Sequence, residues 1–340
     1  MKFRCALVIS LLPIVIAGTA WAQTESPDVF AQAKALGRGV NIIGYDPIWW
    51  SRQQARFQEK HFRLLKEGGF DSVRINLAPF HAMNRTNDWA ISPKWFEVMD
   101  WAVAGAQKYG LAVILDLHEF GEMGRDPEGN KPKLLAAWRQ ISAHCQSLPD
   151  SVFFEALNEP NGKLTAAGWN QLFAEILAIM REKNPTRAVI VGPASWNSVD
   201  HVKELELPEN DRHLILTVHY YKPMEFTHQG ASWTKDRYPV GVEWNGTDAQ
   251  LAVIDKDFDS VAAWAREHNR PVFLGEFGAY DKGPMDSRAR YTAAVARAAE
   301  KRGWSWAYWQ FDSNFLLYDI DHDAWIGPIR DALVPPGSAR

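Results

Sequence analysis

The chain has 340 residues, 46% of them hydrophobic and 23% charged, with 37 Lys and Arg against 41 Asp and Glu. That balance belongs to a folded globular protein and excludes disorder, collagen and long coiled coil. A formal net charge of −4 gives no electrostatic reason to expect nucleic acid as a partner. The unusual entry in the composition is 16 Trp, some of which will fill a core while others suit the gripping of sugar rings or other flat apolar faces.

Residues 1–22 read as a secretory signal peptide: Lys2 and Arg4 give a positive start, Cys5 to Gly18 is apolar, and Ala20-Trp21-Ala22 sets small residues before Gln23. The apolar run falls short of the roughly 20 residues that span a bilayer, and Pro13 interrupts it. The expected location is therefore secreted or periplasmic, with residues 23–340 as one domain. Cys5 leaves with the signal, so Cys145 stands alone on a predicted helix, and the mature chain folds without a disulfide. No second segment is long or apolar enough to cross a membrane, so no membrane partner is expected after cleavage.

From residue 37 onward, short runs rich in Val, Ile, Leu and Phe alternate with longer segments of helical period. The runs are Gly39–Ile43, Ser72–Leu77, Ala112–His118, Val152–Glu159, Ala188–Gly192, Leu214–Tyr221, Val272–Phe277 and Ser305–Phe311. Helical patterns include Gln53–Glu67, Pro93–Tyr109, Leu134–Ser147, Ala166–Asn184, Phe258–His268 and Ser287–Lys301, with a weaker link after the fifth run and a last helix near Ala324–Ala332. Eight strand-then-helix units, with strands apolar on both faces, predict parallel pairing and right-handed crossovers. The closed solution is a single-domain (β/α)8 TIM barrel. An open doubly wound sheet would advertise a glycine-rich phosphate loop, and Gly37-Arg38-Gly39 lacks its third glycine because Ile42 stands there. Lys222–Asp255, with Trp233 and Trp244, reads as an insertion after the sixth strand.

A barrel of this kind places its chemistry at the C-terminal strand ends. There the sequence delivers Arg74 and Asn76, His118 and Glu119, Asn158-Glu159-Pro160, His219-Tyr220-Tyr221, Glu276 and Trp309. Charged residues inside apolar strands are costly unless paired or used. Glu159 and Glu276, on strands four and seven, would face each other across the mouth, and such a pair suits glycoside hydrolysis. One must hold its proton near neutral pH; the other must stay ionised, with Arg74 as the cation available to keep it so.

In these residues the chain resembles glycoside hydrolase family 5, the similarity running through nearly the whole mature chain. It is carried by Arg74 in VRINL, His118 in LDLHEF, Asn158 and Glu159 in ALNEP, His219 and Tyr221 in VHYY, Glu276 in LGEFG and Trp309 in YWQF. The resemblance implies Glu159 as general acid/base, Glu276 as nucleophile and Asn158 as donor to the sugar 2-hydroxyl. It implies that Arg74 and Tyr221 hydrogen-bond Glu276, that His118 and His219 contact the sugar or the carboxylates, and that Trp309 is the platform at the cleaved bond. The implied outcome is retention through a glycosyl-enzyme intermediate, with no cofactor and no metal.

Trp49, Trp50, Trp233 and Trp244 would extend the cleft by stacking on sugar faces, or cap the rim as ordinary packing. Asn41 and His81 are further candidate sugar contacts; Trp95, Trp101, Trp138, Trp169 and Trp264 sit in helical patterns and read as core. A Gly-x-Ser-x-Gly motif is missing from the sequence. Asp319, Asp321 and Asp323 begin like a calcium loop, but Ala324 and Arg330 stand where glycine and the closing acid belong, so Asp323 is read as the cap of the last helix. The reading that results is a monomeric retaining endo-β-1,4-glucanase whose partner is a β-glucan. Its competitors are the same chemistry on mannan, xyloglucan or mixed-linkage glucan, and a carbohydrate-binding barrel without turnover.

Overall fold

The computed structural model describes residues 28–337; the expected signal peptide lies outside them. Eight parallel strands close into a barrel: β1 Arg38–Ile42, β2 Ser72–Leu77, β3 Ala112–Leu117, β4 Val152–Glu155, β5 Val189–Val191, β6 Leu214–Tyr220, β7 Val272–Phe277 and β8 Ser305–Tyr308. Each strand is hydrogen-bonded to its sequence neighbours, and β8 pairs with β1 to complete the ring. Closure leaves no sheet edge, and nearly every strand residue is buried, as the continuous apolar runs require. Helices from Glu59–Glu67 to Met285–Lys301 pack outside, and the weak link after β5 is a single 3-10 segment, Val199–Glu204. No helix among the described residues is long and apolar enough to cross a membrane, and Cys145 is buried and unbridged.

The lumen is built in layers, because alternate residues of a strand point to one face. Ile114, Phe153, Ile190, Ile215, Phe273 and Ala307 form one apolar cluster with Val29, Ala33 and Leu36. Val29 and Ala33 belong to a helix, Val29–Ala35, that the sequence reading did not anticipate, and Leu36 is its C-cap; Asp28 caps the other end by accepting from the Phe30 amide at 3.0 Å. Ser305, at the start of β8, donates to the Ala33 carbonyl at 2.7 Å, which fixes this helix against the N-terminal strand ends. Toward the other end the inward positions turn polar: Asn41, Arg74, Asn76, Asp116 and Glu155 are all fully buried. The pairings Asn76↔Asp116 and Asp116↔Glu155 set three of them side by side across β2, β3 and β4.

Several element limits differ from the sequence reading. Strand β4 ends at Glu155, although the Ala156 and Asn158 amides still donate to the Ile190 and Leu117 carbonyls, and the chain reaches Glu159 in the left-handed region at φ 40°. The helix before β7 begins at Asp248, ten residues ahead of Phe258, because Thr247 and Gln250 cap each other reciprocally and nucleate an earlier start. The last helix is Gly327–Leu333. Asp323 does not cap it; its carboxylate accepts from Lys60 Nζ and Tyr318 OH, both at 2.7 Å.

Candidate active site

Arg74 is the centre around which the mouth is organised. Fully buried on β2, it has five N–H groups to satisfy. Nε and one Nη2 hydrogen go to the two carboxylate oxygens of Glu155, each at 2.7 Å. Nη1 donates to Asn41 Oδ1 at 2.8 Å and to Glu276 Oε1 at 2.7 Å, and Nη2 also donates to Asn158 Oδ1 at 2.8 Å. Asp116 Oδ1 lies 3.1 Å from Nη2. Its Oδ2 pairs with His118 Nδ1 at 2.6 Å and accepts from Asn76 Nδ2 at 3.0 Å, which fixes the His118 ring and leaves Nε2 as its second nitrogen.

The second support of Glu276 comes from the residue that follows β6. Tyr221 donates its hydroxyl to Glu276 Oε2 at 3.0 Å. Burial, and then the negative charge of Glu276, push that phenol well above its ordinary pKa, so it stays a donor. His219 Nδ1 stands 2.7 Å from Glu159 Oε1 and 3.6 Å from Glu276 Oε2. Burial pulls this imidazole down to about 4, so it is neutral at pH 7. The Asn197 amide lies 3.4 Å from its Nε2; with that amide donating, the ring proton sits on Nδ1 and is given to Glu159.

The two carboxylates therefore have unequal surroundings. Burial raises Glu159 to about 7, with His118 and Arg74 opposing the rise. Burial also raises Glu276, but its anion holds hydrogen bonds from Arg74 and Tyr221. Burial likewise pushes the Glu155 carboxyl up, with Arg74 opposing it. A carboxylate oxygen from each of Glu159 and Glu276 and a ring nitrogen of His219 lie within 4.8 Å of one another. That trio could in principle offer ligands to a metal, but the Arg74 guanidinium beside Glu276 already supplies positive charge there and disfavours a cation.

The structure brings Arg74, His118, Asn158, Glu159, His219, Tyr221 and Glu276 together as the sequence reading expected. Trp309 follows β8 directly and lies parallel to the His118 ring, 5.5 Å between centroids and 7° between planes. Three expected sugar-facing residues are corrected, two of them tryptophans. Trp49 is 5% exposed, stacked on Trp95 at 5.2 Å with its indole N–H on the Ile43 carbonyl at 2.9 Å. Trp244 is 2% exposed, edge-on to Tyr291 at 5.5 Å. Both rings are buried in packing, and neither projects as Trp50 does. Trp50 does project, 65% exposed on the His81 ring at 4.7 Å, and Trp233 is exposed against Tyr280 at 4.9 Å. Asn41 is a third correction: expected as a sugar contact, it is fully buried behind Arg74, its Nδ2 donating to the carbonyls of Gly275 and Tyr308 and its Oδ1 accepting from Arg74 and Asn76.

Four residues escaped the sequence reading. Asp116 and Glu155 are acids at inward positions of apolar strands, a parity signal the sequence does carry. Tyr45, exposed and edge-on to Trp309 at 6.0 Å, and Trp196, exposed beside Phe120 at 5.9 Å, sit in irregular loops with no periodicity to mark them.

Residues 33–315 match the cellulase family, glycosyl hydrolase family 5. Among characterised relatives, Endoglucanase H of Acetivibrio thermocellus is 28% identical over 326 residues, covering 92% of this chain and 34% of that protein. Endoglucanase 3 of Fibrobacter succinogenes is 25% identical, covering 91% and 54% respectively. The chain thus spans about a third and about half of these two relatives. Among solved structures, a hyperthermophilic endo-β-1,4-glucanase in complex with substrate superposes with a TM-score of 0.86 at 36% identity, covering 91% of this chain and 99% of that one. The endoglucanase Cel5A from Thermotoga maritima superposes with a TM-score of 0.84 at 36% identity, covering 91% and 100%. With the closed barrel, the Arg74-centred mouth and a match along most of its length, the chain belongs to glycosyl hydrolase family 5.

Proposed function

We propose that the protein is a retaining endo-β-1,4-glucanase acting on β-glucan chains as a monomer, secreted or held in the periplasm. The observation that supports retention best is the spacing of the acids. Oxygens of Glu159 and Glu276 lie within 4.8 Å, close to the short separation of direct attack and below the roughly 6.5–9.5 Å that leaves room for a water in an inverting site.

In this reading Glu276, held anionic by Arg74 and Tyr221, attacks the anomeric carbon while Glu159 gives its proton to the departing glycosidic oxygen. The bond to the leaving chain breaks as the ester to Glu276 forms. Glu159, now a carboxylate, takes a proton from water; the hydroxide adds to the anomeric carbon and Glu276 leaves, so configuration is retained. Asn158 accepts from Arg74 through Oδ1, which reserves Nδ2 as a donor to the sugar 2-hydroxyl. That bond strengthens as the ring gains oxocarbenium character. Trp309 lies beneath the ring at the cleaved bond, and Trp50 serves the chain further along.

The test is reducing-sugar release from carboxymethylcellulose, lichenan, xyloglucan and glucomannan, with the anomeric form of the first product read by NMR. Release from β-1,4-glucan with β product supports the proposal; α product, or no release from any of the four, overturns it.

A further inference from the structure

Glu155 takes no part in the chemistry just described, yet it holds the largest share of Arg74. It is the last residue of β4, fully buried, and grips Nε and Nη2 through two hydrogen bonds of 2.7 Å. A guanidinium is planar, so fixing Nε and Nη2 leaves Nη1 and the second Nη2 hydrogen no choice of direction. Those remaining hydrogens are the ones that reach Glu276 Oε1, Asn41 Oδ1 and Asn158 Oδ1. Asp116, the other acid beside Arg74, offers it Oδ1 alone, 3.1 Å from Nη2, while its Oδ2 is committed to His118 and Asn76, so it does not duplicate the two-point grip on Nε and Nη2.

We infer that Glu155 is a positioning residue for the reaction: by clamping one edge of Arg74 from behind, it aims the other edge at the nucleophile Glu276 and sets the amide orientation of Asn158. The inference rests on the reading of Glu276 as nucleophile. It assigns to a carboxylate that meets no substrate the geometry of two groups that do.

Glu155 faces Arg74 from β2, Asp116 from β3 and Glu276 from β7. Glu276 faces Tyr45 after β1, Arg74 from β2, His118 after β3, Glu155 and Glu159 at and after the end of β4, and His219 and Tyr221 from β6 and its end. Glu155→Gln keeps the volume but replaces one acceptor by a donor opposite a guanidinium N–H, so Arg74 must turn. Two consequences oppose each other in sign. If Arg74 loses its aim, Glu276 loses its cationic partner and the acid limb of kcat/KM moves to higher pH. If the only effect were removal of a buried negative charge, Glu276 would ionise more readily and the limb would move lower.

The experiment is the pH profile of kcat/KM for wild type, Glu155→Gln and Glu155→Asp on a soluble β-1,4-glucan, with thermal melting to confirm folding. The expected result is a loss of about a hundredfold in kcat for Glu155→Gln, the scale of a misplacement near one ångström, with the acid limb moved upward. Glu155→Asp, which keeps the charge, should recover part of both. Should Glu155→Gln not fold, Glu155→Asp carries the test, again with its acid limb above wild type. An acid limb that stays in place or moves down overturns the inference. Azide rescue of Glu276→Ala, measured separately, distinguishes the outcomes: no rescue removes the underlying reading, whereas rescue with an unmoved limb in the Glu155 variants removes this inference alone.

Discussion

His219 stands opposite Glu276 across the β6–β7 ladder only because Gly275 slips out of register. Val218 pairs with Leu274, and the next pair is His219 with Glu276. A bulge of this kind re-aims a side chain at a strand end, and here it turns the carboxylate toward the ring that also serves Glu159. Glycine is required at the slip, since a Cβ there would sit 2.6 Å from Thr217 Oγ1 and 2.9 Å from His219 Nε2. Gly275→Ala should therefore cost about 1–3 kcal/mol of stability, as overpacked sites do, and lower kcat more than KM. Urea unfolding and steady-state kinetics measure both; unchanged kcat in the folded variant would count against the bulge as the aiming device.

The two acids should respond differently to deletion. Glu276→Ala abolishes turnover, and azide restores it with α-glycosyl azide as product, because the small anion attacks where the carboxylate no longer stands. Glu159→Ala with azide yields the β-glycosyl azide, since the ester to Glu276 still forms first. Product stereochemistry by NMR decides; the opposite pairing would show that the roles are exchanged.

The pH profile follows from the protonation each acid needs. Glu159 must hold its proton and is raised to about 7 by burial, so activity falls as pH climbs through about 7. Glu276 must be ionised and is raised from 4.5 by burial, so activity falls as pH drops through a value above the usual glutamate range. The product is a bell in kcat/KM. Tyr221→Phe removes the hydrogen bond to Glu276 Oε2 and should move the acid limb up by about one pH unit, leaving the alkaline limb in place. A profile flat on either side contradicts the assignment.

The tryptophans divide by burial. Trp49→Ala and Trp244→Ala empty packed sites and should destabilise by about 3–5 kcal/mol, visible as a lowered melting temperature. Trp50→Ala and Trp233→Ala remove exposed rings and should leave the melt nearly unchanged while raising KM for long chains more than for short ones. Equal KM effects across chain lengths would argue against both as sugar platforms.

The barrel and its acids were legible because each rests on a local rule. Continuous apolar runs at regular spacing demand a sheet buried on both faces, and Glu159 and Glu276 stand where such a run ends. Burial of a tryptophan has no such local signature: Trp49 and Trp50 are adjacent in sequence, yet one packs on Trp95 and the other projects, because the 3-10 turn Pro47–Trp49 rotates them apart. Glu155 was read as part of a longer strand, Val152–Glu159, which hid its place at the strand end directly beneath the mouth. The helix Val29–Ala35 was missed because it follows a predicted cleavage site and is only two turns long. Its role is defined by the lumen it closes, which no window of sequence contains.

That small helix also fixes how the molecule is presented to its surroundings. It seals the pole opposite the carboxylates, so Asp28 stands at the end of the barrel away from Glu159 and Glu276. A tether, tag or surface anchor joined at that end would hold the barrel with its opening turned outward, free to engage a long polymer without obstruction.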